Sequence, residues 1–112
     1  MIYGAAKAAV NHLTVCAAMQ LGEKNVRCNS ISPGGIATGI FAKALGVEPS
    51  KADSYAEEAK KMMATMQPIP RGGTTDDIAN AAVFLASEES RWITGAMLPI
   101  DGGFMAIRPW PR

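Results

Sequence analysis

The chain has 112 residues, enough for one small domain and not two. Hydrophobic residues make up 48% and charged residues 19%, a core-forming composition that excludes disordered and membrane-spanning classes. Eleven basic against ten acidic residues leave a formal charge of +1, which argues against nucleic acid or an anionic membrane as a partner.

In chain order, Tyr3 to Leu21 is alanine-rich, with Val10, Leu13, Ala17 and Leu21 at helical spacing and Gly22 as a stop. So many small side chains allow another helix to approach closely, so a buried or subunit-contacting helix is expected. Val26 to Ile31 is short and partly β-branched and runs into Ser32-Pro33-Gly34-Gly35, a strand ending in a turn. Residues 36 to 50 are punctuated by glycine and carry no clear period. Ser50 is placed to cap a helix over 51 to 66, with Tyr55, Ala59, Met62 and Met66 on one stripe and Glu57 four before Lys61. After the break at Gln67 to Thr74, Thr74 with Asp77 resembles a capping box for a helix over 75 to 87. Its inward face is expected to be Ile78, Ala82 and Leu85, with Val83 and Ala86 beside them. Met97 to Ile100 reads as a strand that closes on an Asp101-Gly102-Gly103 turn, and the proline-bearing tail as irregular. There is no internal repeat.

The order is helix, strand, helix, helix, strand. Strands joined through helices run parallel, and a parallel sheet is normally covered on both faces. Two strands cannot supply such a sheet. The expected fold class is therefore α/β, one part of a doubly wound parallel sheet and incomplete as a stand-alone domain. No basic stretch leads into an apolar run, so no signal peptide is expected. Cys16 and Cys28 have neither metal nor disulfide-framework spacing and read as reduced thiols of a cytoplasmic protein, with no metal site.

Tyr3 and Lys7, at i and i+4, lie one above the other on a helix face. A phenol is a poor acid/base at neutral pH, its reference pKa being about 10. An ammonium held beside it favours the phenolate, so such a pair suits proton transfer in alcohol and carbonyl chemistry. Taken alone, the spacing is met by chance in many proteins and favours a surface or helix-start pairing.

The pair is accompanied by Pro33-Gly34-x3-Thr38, Phe84-Leu85-Ala86-Ser87, Ile93-Thr94-Gly95 and Asp101-Gly102-Gly103. In this order and at these separations, residues 3 to 103 resemble the short-chain dehydrogenase/reductase family. The resemblance implies that residues 1–112 are the C-terminal part of a single Rossmann-like domain. It implies an oxidoreductase that moves hydride between NAD or NADP and a secondary alcohol or carbonyl, in a homo-oligomer, dimer or tetramer. By the same resemblance, Tyr3 is the general acid/base. Lys7 favours its ionised form and holds the ribose hydroxyls of the cofactor. The loop with Pro33 and Gly34 borders the nicotinamide, the backbone of Ile36 meets the carboxamide, and the hydroxyl of Thr38 reaches carboxamide or pyrophosphate, or else serves as a helix cap or loop hydroxyl. Residues 39 to 66 correspond to the variable substrate region, where Phe41, Leu45, Met62, Met63 and Met66 line a substrate pocket or simply pack the helix. His12 reads as structural, and Arg71 as a loop or interface contact.

Ala6 stands where the family commonly has serine before the lysine. The glycine-rich TGxxxGxG turn, the Asn-Asn-Ala-Gly segment and a serine about a dozen residues before the tyrosine are absent from the 112 residues. The chain is accordingly expected to be truncated and inactive alone. The alternative expectation is a non-catalytic relative acting only as a subunit-association module.

Overall fold

A computed structural model describes residues 1–40 and 46–105. The elements are α1 (Ile2–Gly22), β1 (Ser30–Pro33), α2 (Ala52–Met63), α3 (Thr75–Ala86) and β2 (Met97–Ile100), with 3-10 turns at Pro49–Lys51 and Glu88–Ser90. β1 and β2 form a two-stranded sheet. Ser30 N–H donates to Ala96 O and Gly34 N–H to Ile100 O, each at 2.9 Å. Donor and acceptor both advance by four, so the strands run parallel, as helix-linked strands do. The chain divides into two units, Met1–Ser32 with Asn80–Pro99 and Pro33–Ala79 with Ile100–Arg112.

In the first unit α1 is rich in Ala, Val, Leu and Met, with Lys7, Asn11, His12 and Gln20 spread among them, and its polarity hardly varies around the axis. Such a helix carries no strong signal of which side faces inward. The buried residues are Thr14 and Ala18, with Asn11 half-buried one turn before. The expected stripe is therefore corrected: Leu13 is 66% exposed and Val10 50%, and Leu21 also lies open. Thr14 satisfies its buried hydroxyl by donating to Val10 O at 3.0 Å. The helix ends one residue past Leu21, whose carbonyl accepts from both Lys24 and Val26. The left-handed residue that turns the chain is Asn25, at φ 58, and Gly22 is only the last helical residue.

The expected strand over 26 to 31 begins later, at Ser30. Arg27 to Asn29 run beside the turn at Ile93 to Ala96, but side chains replace the backbone ladder. Cys28 N–H donates to Thr94 Oγ1 at 3.0 Å, and Cys28 O accepts from Gly95 N–H at 2.7 Å. Asn29 bonds in both directions, Nδ2 donating to Ile93 O and Oδ1 accepting from Ala96 N–H, each at 3.0 Å. Arg27 donates to Ile93 O and to Ser87 O. Gly95 is at φ 71, and a Cβ there would sit 3.4 Å from that of Ala18. Ile93-Thr94-Gly95 is thus the backbone turn to which this segment is fastened. In α3, Ile78 and Leu85 are half-buried, whereas Ala82, Val83 and Ala86 are exposed, against expectation. Ala82, Leu85 and Ala86 line, with Arg27, Asn29 and Ile31 among others, a cavity of about 510 Å³. Ser90 is fully buried and donates to Leu85 O and Ser87 O.

In the second unit the expected helix over 51 to 66 is shorter. Ser50 lies in the 3-10 turn and caps nothing: the N-cap is Lys51, whose carbonyl accepts from Ser54 Oγ. Ala59 and Met63 are the buried residues, while Met62 is 59% exposed and Met66 has left the helix. The buried side is therefore centred on residues 59 and 63, a rotation around the axis away from the expected stripe. Glu57 pairs with Lys60, three residues on, in place of Lys61. Phe41, Leu45 and the tail from 107 to 112 lie outside the described residues. The Asp101 turn forms as expected: Oδ1 accepts from Gly103 N–H at 2.8 Å and Oδ2 from Met105 N–H at 3.0 Å. Gly102 and Gly103 have φ of 63° and 87°, a region open to glycine at no steric cost.

Replacing Asn29→Ala leaves the Ala96 amide without its partner and the Ile93 carbonyl with Arg27 Nη1 alone. The expected cost is about 1–3 kcal/mol of unfolding free energy, read as a lower denaturant midpoint. An unchanged midpoint would show that the side chain does not tie the segment to the turn.

Candidate active site

Tyr3 and Lys7 stand on the first two turns of α1, and the helical spacing brings them together. Lys7 Nζ lies over the Tyr3 ring, 5.5 Å from its centroid, within the range of a cation–π contact. Tyr3 is 76% exposed, so its phenol is open to a reactant.

The loop leaving β1 is held on both flanks. On one side Gly34 N–H donates to Ile100 O at 2.9 Å. A Cβ on Gly34 would lie 2.6 Å from both Cα and Cβ of Asp101, so glycine is required for this approach. On the other side Gly73 N–H donates to Gly35 O at 3.1 Å, and Ala37 N–H donates to Gly73 O at 3.0 Å. This is a parallel bridge between Ile36 and Gly73. In a parallel bridge the central residue's own N–H and C=O point away from the partner. The Ile36 backbone therefore faces outward, and among the described residues its N–H has no hydrogen-bond partner. Gly35 rests against the buried Met63 side chain, which gives that methionine a packing role. Thr38 is half-buried at the end of the loop and Pro33 is exposed at its start.

Sequence reasoning treated Arg71 as a loop contact and Asp77 as half of a cap. The structure joins them: Arg71 Nη1 and Nη2 each reach an Asp77 carboxylate oxygen at 2.7 Å. The Thr74 N–H and hydroxyl also donate to Asp77 Oδ2, at 2.8 and 2.9 Å. No periodicity signals a pair six apart that spans a loop and a helix start; only the capping residues hinted at it. The Arg71 guanidinium, then the Thr74 donors, hold the Asp77 carboxyl well below the usual carboxylate range. The same pairing raises the Arg71 guanidinium.

A family model described as enoyl-(acyl carrier protein) reductase matches residues 1–105. The chain belongs to the short-chain dehydrogenase/reductase family. Among curated relatives, a 7alpha-hydroxysteroid dehydrogenase of Bacteroides fragilis is 38% identical over 108 residues, 96% of this chain and 38% of that protein. An L-xylulose reductase of Caenorhabditis elegans is 36% identical over 104 residues, 92% of this chain and 38% of its own. Among solved structures, a 4-hydroxyisoleucine dehydrogenase complexed with NADH superposes with a TM-score of 0.75 at 33% identity, covering 95% of this chain and 40% of that one. A short-chain type dehydrogenase/reductase of Mycobacterium ulcerans gives 0.74 at 39% identity, covering 95% and 35%. The chain thus spans about two-fifths or less of the length of these relatives. The α/β fold and parallel strand pairing agree with theirs. No helix among the described residues is long and apolar enough to cross a membrane.

Because folding lowers the Asp77 pKa, the pair contributes stability that is complete above the unfolded carboxylate's pKa. That contribution is lost only as pH falls through the depressed folded value. The Asp77 carboxyl carbon is therefore expected to titrate, by NMR, well below the ordinary aspartate value of about 3.9. Titration at the ordinary value would show that Arg71 does not hold it.

Proposed function

We infer that this chain carries the proton-transfer pair and the nicotinamide-facing loop of an NAD- or NADP-dependent oxidoreductase acting on a secondary alcohol or carbonyl. The observation that carries the reading is the exposed Tyr3 with the Lys7 ammonium over its ring, in a chain of this family. The loop fits the cofactor by the chemistry of its donors. The outward N–H of Ile36 can donate to a carboxamide oxygen, and Gly34 and Gly35 let the backbone come close. Bound there, the nicotinamide would supply or accept the hydride.

The residues of this chain do the rest. In the reducing direction Tyr3 gives its phenolic proton to the substrate oxygen as that oxygen gains negative charge. In the oxidising direction the tyrosinate takes the hydroxyl proton back. Lys7, over the Tyr3 ring, donates to the ribose hydroxyls. Pro33 and Gly34 begin the loop, Ile36 orients the carboxamide, and Thr38 offers its hydroxyl to carboxamide or pyrophosphate. Relatives named for a hydroxysteroid and for xylulose support an alcohol or carbonyl substrate. The free thiols of Cys16 and Cys28 agree with a reducing, cytoplasmic setting.

One observation favours a second reading, a subunit-association module without catalysis: α1 exposes Val10, Leu13 and Met19. A homo-oligomer satisfies both readings, and cofactor binding separates them.

In the full-length protein, Tyr3→Phe is expected to remove most of kcat, a loss on the order of a hundredfold or more, with cofactor affinity nearly unchanged. Retention of wild-type kcat would defeat the acid/base role. The 112 residues alone are expected to give no NAD(P)-dependent turnover, since they contain neither a glycine-rich phosphate turn nor the serine. Turnover by the purified chain would contradict this.

A further inference from the structure

The corner at the start of α3 is more elaborate than a helix cap requires. One carboxylate, that of Asp77, receives both guanidinium nitrogens of Arg71 and both donors of Thr74. Arg71 Nη1 also donates to Gly72 O at 3.2 Å. Residues on both sides of Gly73 are thus tied to a single group, and bidentate pairing of this kind fixes direction as well as distance.

Gly73, between them, spends its N–H on Gly35 O and its carbonyl on Ala37 N–H. It therefore grips the cofactor-facing loop on either side of Ile36. A Cβ at Gly73 would lie 2.6 Å from Ile36 Cδ1 and 2.9 Å from Gly35 O, closer than real Cβ atoms come. Any side chain there must push residues 35 and 36 outward.

We propose that Gly73, fixed by Arg71, Asp77 and Thr74, is a positioning residue for the cofactor, setting residues 35 to 37 so that the Ile36 backbone meets the nicotinamide carboxamide. The proposal rests on the reading of residues 33 to 38 as the cofactor-facing loop. Gly73 touches neither cofactor nor substrate in this scheme and acts through the two backbone bonds alone. It moves no proton, so its loss changes cofactor affinity and leaves the pH profile of kcat in place.

The test uses the full-length protein and compares Gly73→Ala, Arg71→Met and Asp77→Asn with the unsubstituted form. Asp76→Asn is the control, because it removes a neighbouring first-turn carboxylate of α3 and leaves Arg71 its partner. NADH and NADPH affinity are measured by fluorescence titration, and amide protection by hydrogen exchange. Gly73→Ala is expected to weaken binding of the preferred cofactor on the order of tenfold. Arg71→Met and Asp77→Asn weaken it several-fold each and less than additively together, with Asp77→Glu restoring part of the loss. The Ala37 and Gly73 amides lose protection in these variants while Gly34, bonded to Ile100, keeps its own. Asp76→Asn changes neither readout. Lost protection with unchanged cofactor affinity would overturn the positioning role and leave the corner merely structural. Unchanged protection in Arg71→Met would overturn the claim that the ion pair holds Gly73. A protein that binds neither nucleotide would instead sink the oxidoreductase reading, and this proposal with it.

Discussion

The geometry of the loop leaving β1 depends on close backbone approach on both of its sides. A parallel pair of strands leaves its loop at the carboxyl end with amides and carbonyls that the sheet no longer satisfies. Here the Gly34 amide still reaches Ile100, the last residue of β2, and the Gly35 carbonyl and Ala37 amide beyond it are taken up by Gly73. Both approaches are too close for a β-carbon, which is why Gly34 and Gly73 stand where they do. The result is that residue 36 presents its backbone away from the bridge. An outward N–H without a partner among the described residues, on a braced loop, would suit hydrogen bonding to a flat amide-bearing ring, and no side-chain chemistry would be needed for it.

The bracing continues outward through charge. Asp77 is exposed enough that its pairing with Arg71 contributes little to global stability. Its worth is directional. The carboxylate that completes the cap of α3 also orients the arginine, and the arginine reaches back to the Gly72 carbonyl. In the first unit, Asn29 and Thr94 play a comparable part with neutral groups, replacing ladder bonds where Arg27 to Asn29 pass the Ile93 turn. In each unit, polar side chains hold backbone where regular pairing stops.

The elements were legible because glycine, proline and capping residues punctuate the chain strongly; β2 and its Asp101 turn fall where read. What was not legible was orientation. An alanine-rich helix such as α1 has apolar residues on every side, so periodicity could not tell that Thr14 and Ala18 face inward and Leu13 does not. In α2, which is amphipathic, two adjacent methionines end the helix, and the buried one is Met63 in place of Met62. The start of β1 comes later than read because side-chain bonds from Thr94 and Asn29 stand in for a strand's ladder, and β-branching alone cannot separate the two. The pair of Tyr3 and Lys7 was visible from spacing, and the loop from its glycines. The Arg71–Asp77 pair was hidden because its partners meet through a turn, whose geometry no repeat encodes.

The chemistry assigned to Tyr3 also sets a condition on its surroundings. Two unit charges 4 Å apart interact by about 1 kcal/mol in bulk water and by several times that at the lower effective dielectric of a protein surface. Tyr3 is largely in solvent in this chain, with Lys7 over its ring. On the proposed reading the helix would supply the geometry of proton transfer, while most of its electrostatic strength would come from whatever excludes water above the ring. A flat nucleotide and an apolar alcohol bound against that face would do so. Proton transfer would be confined to the loaded state by solvent exclusion alone, without any movement of the pair.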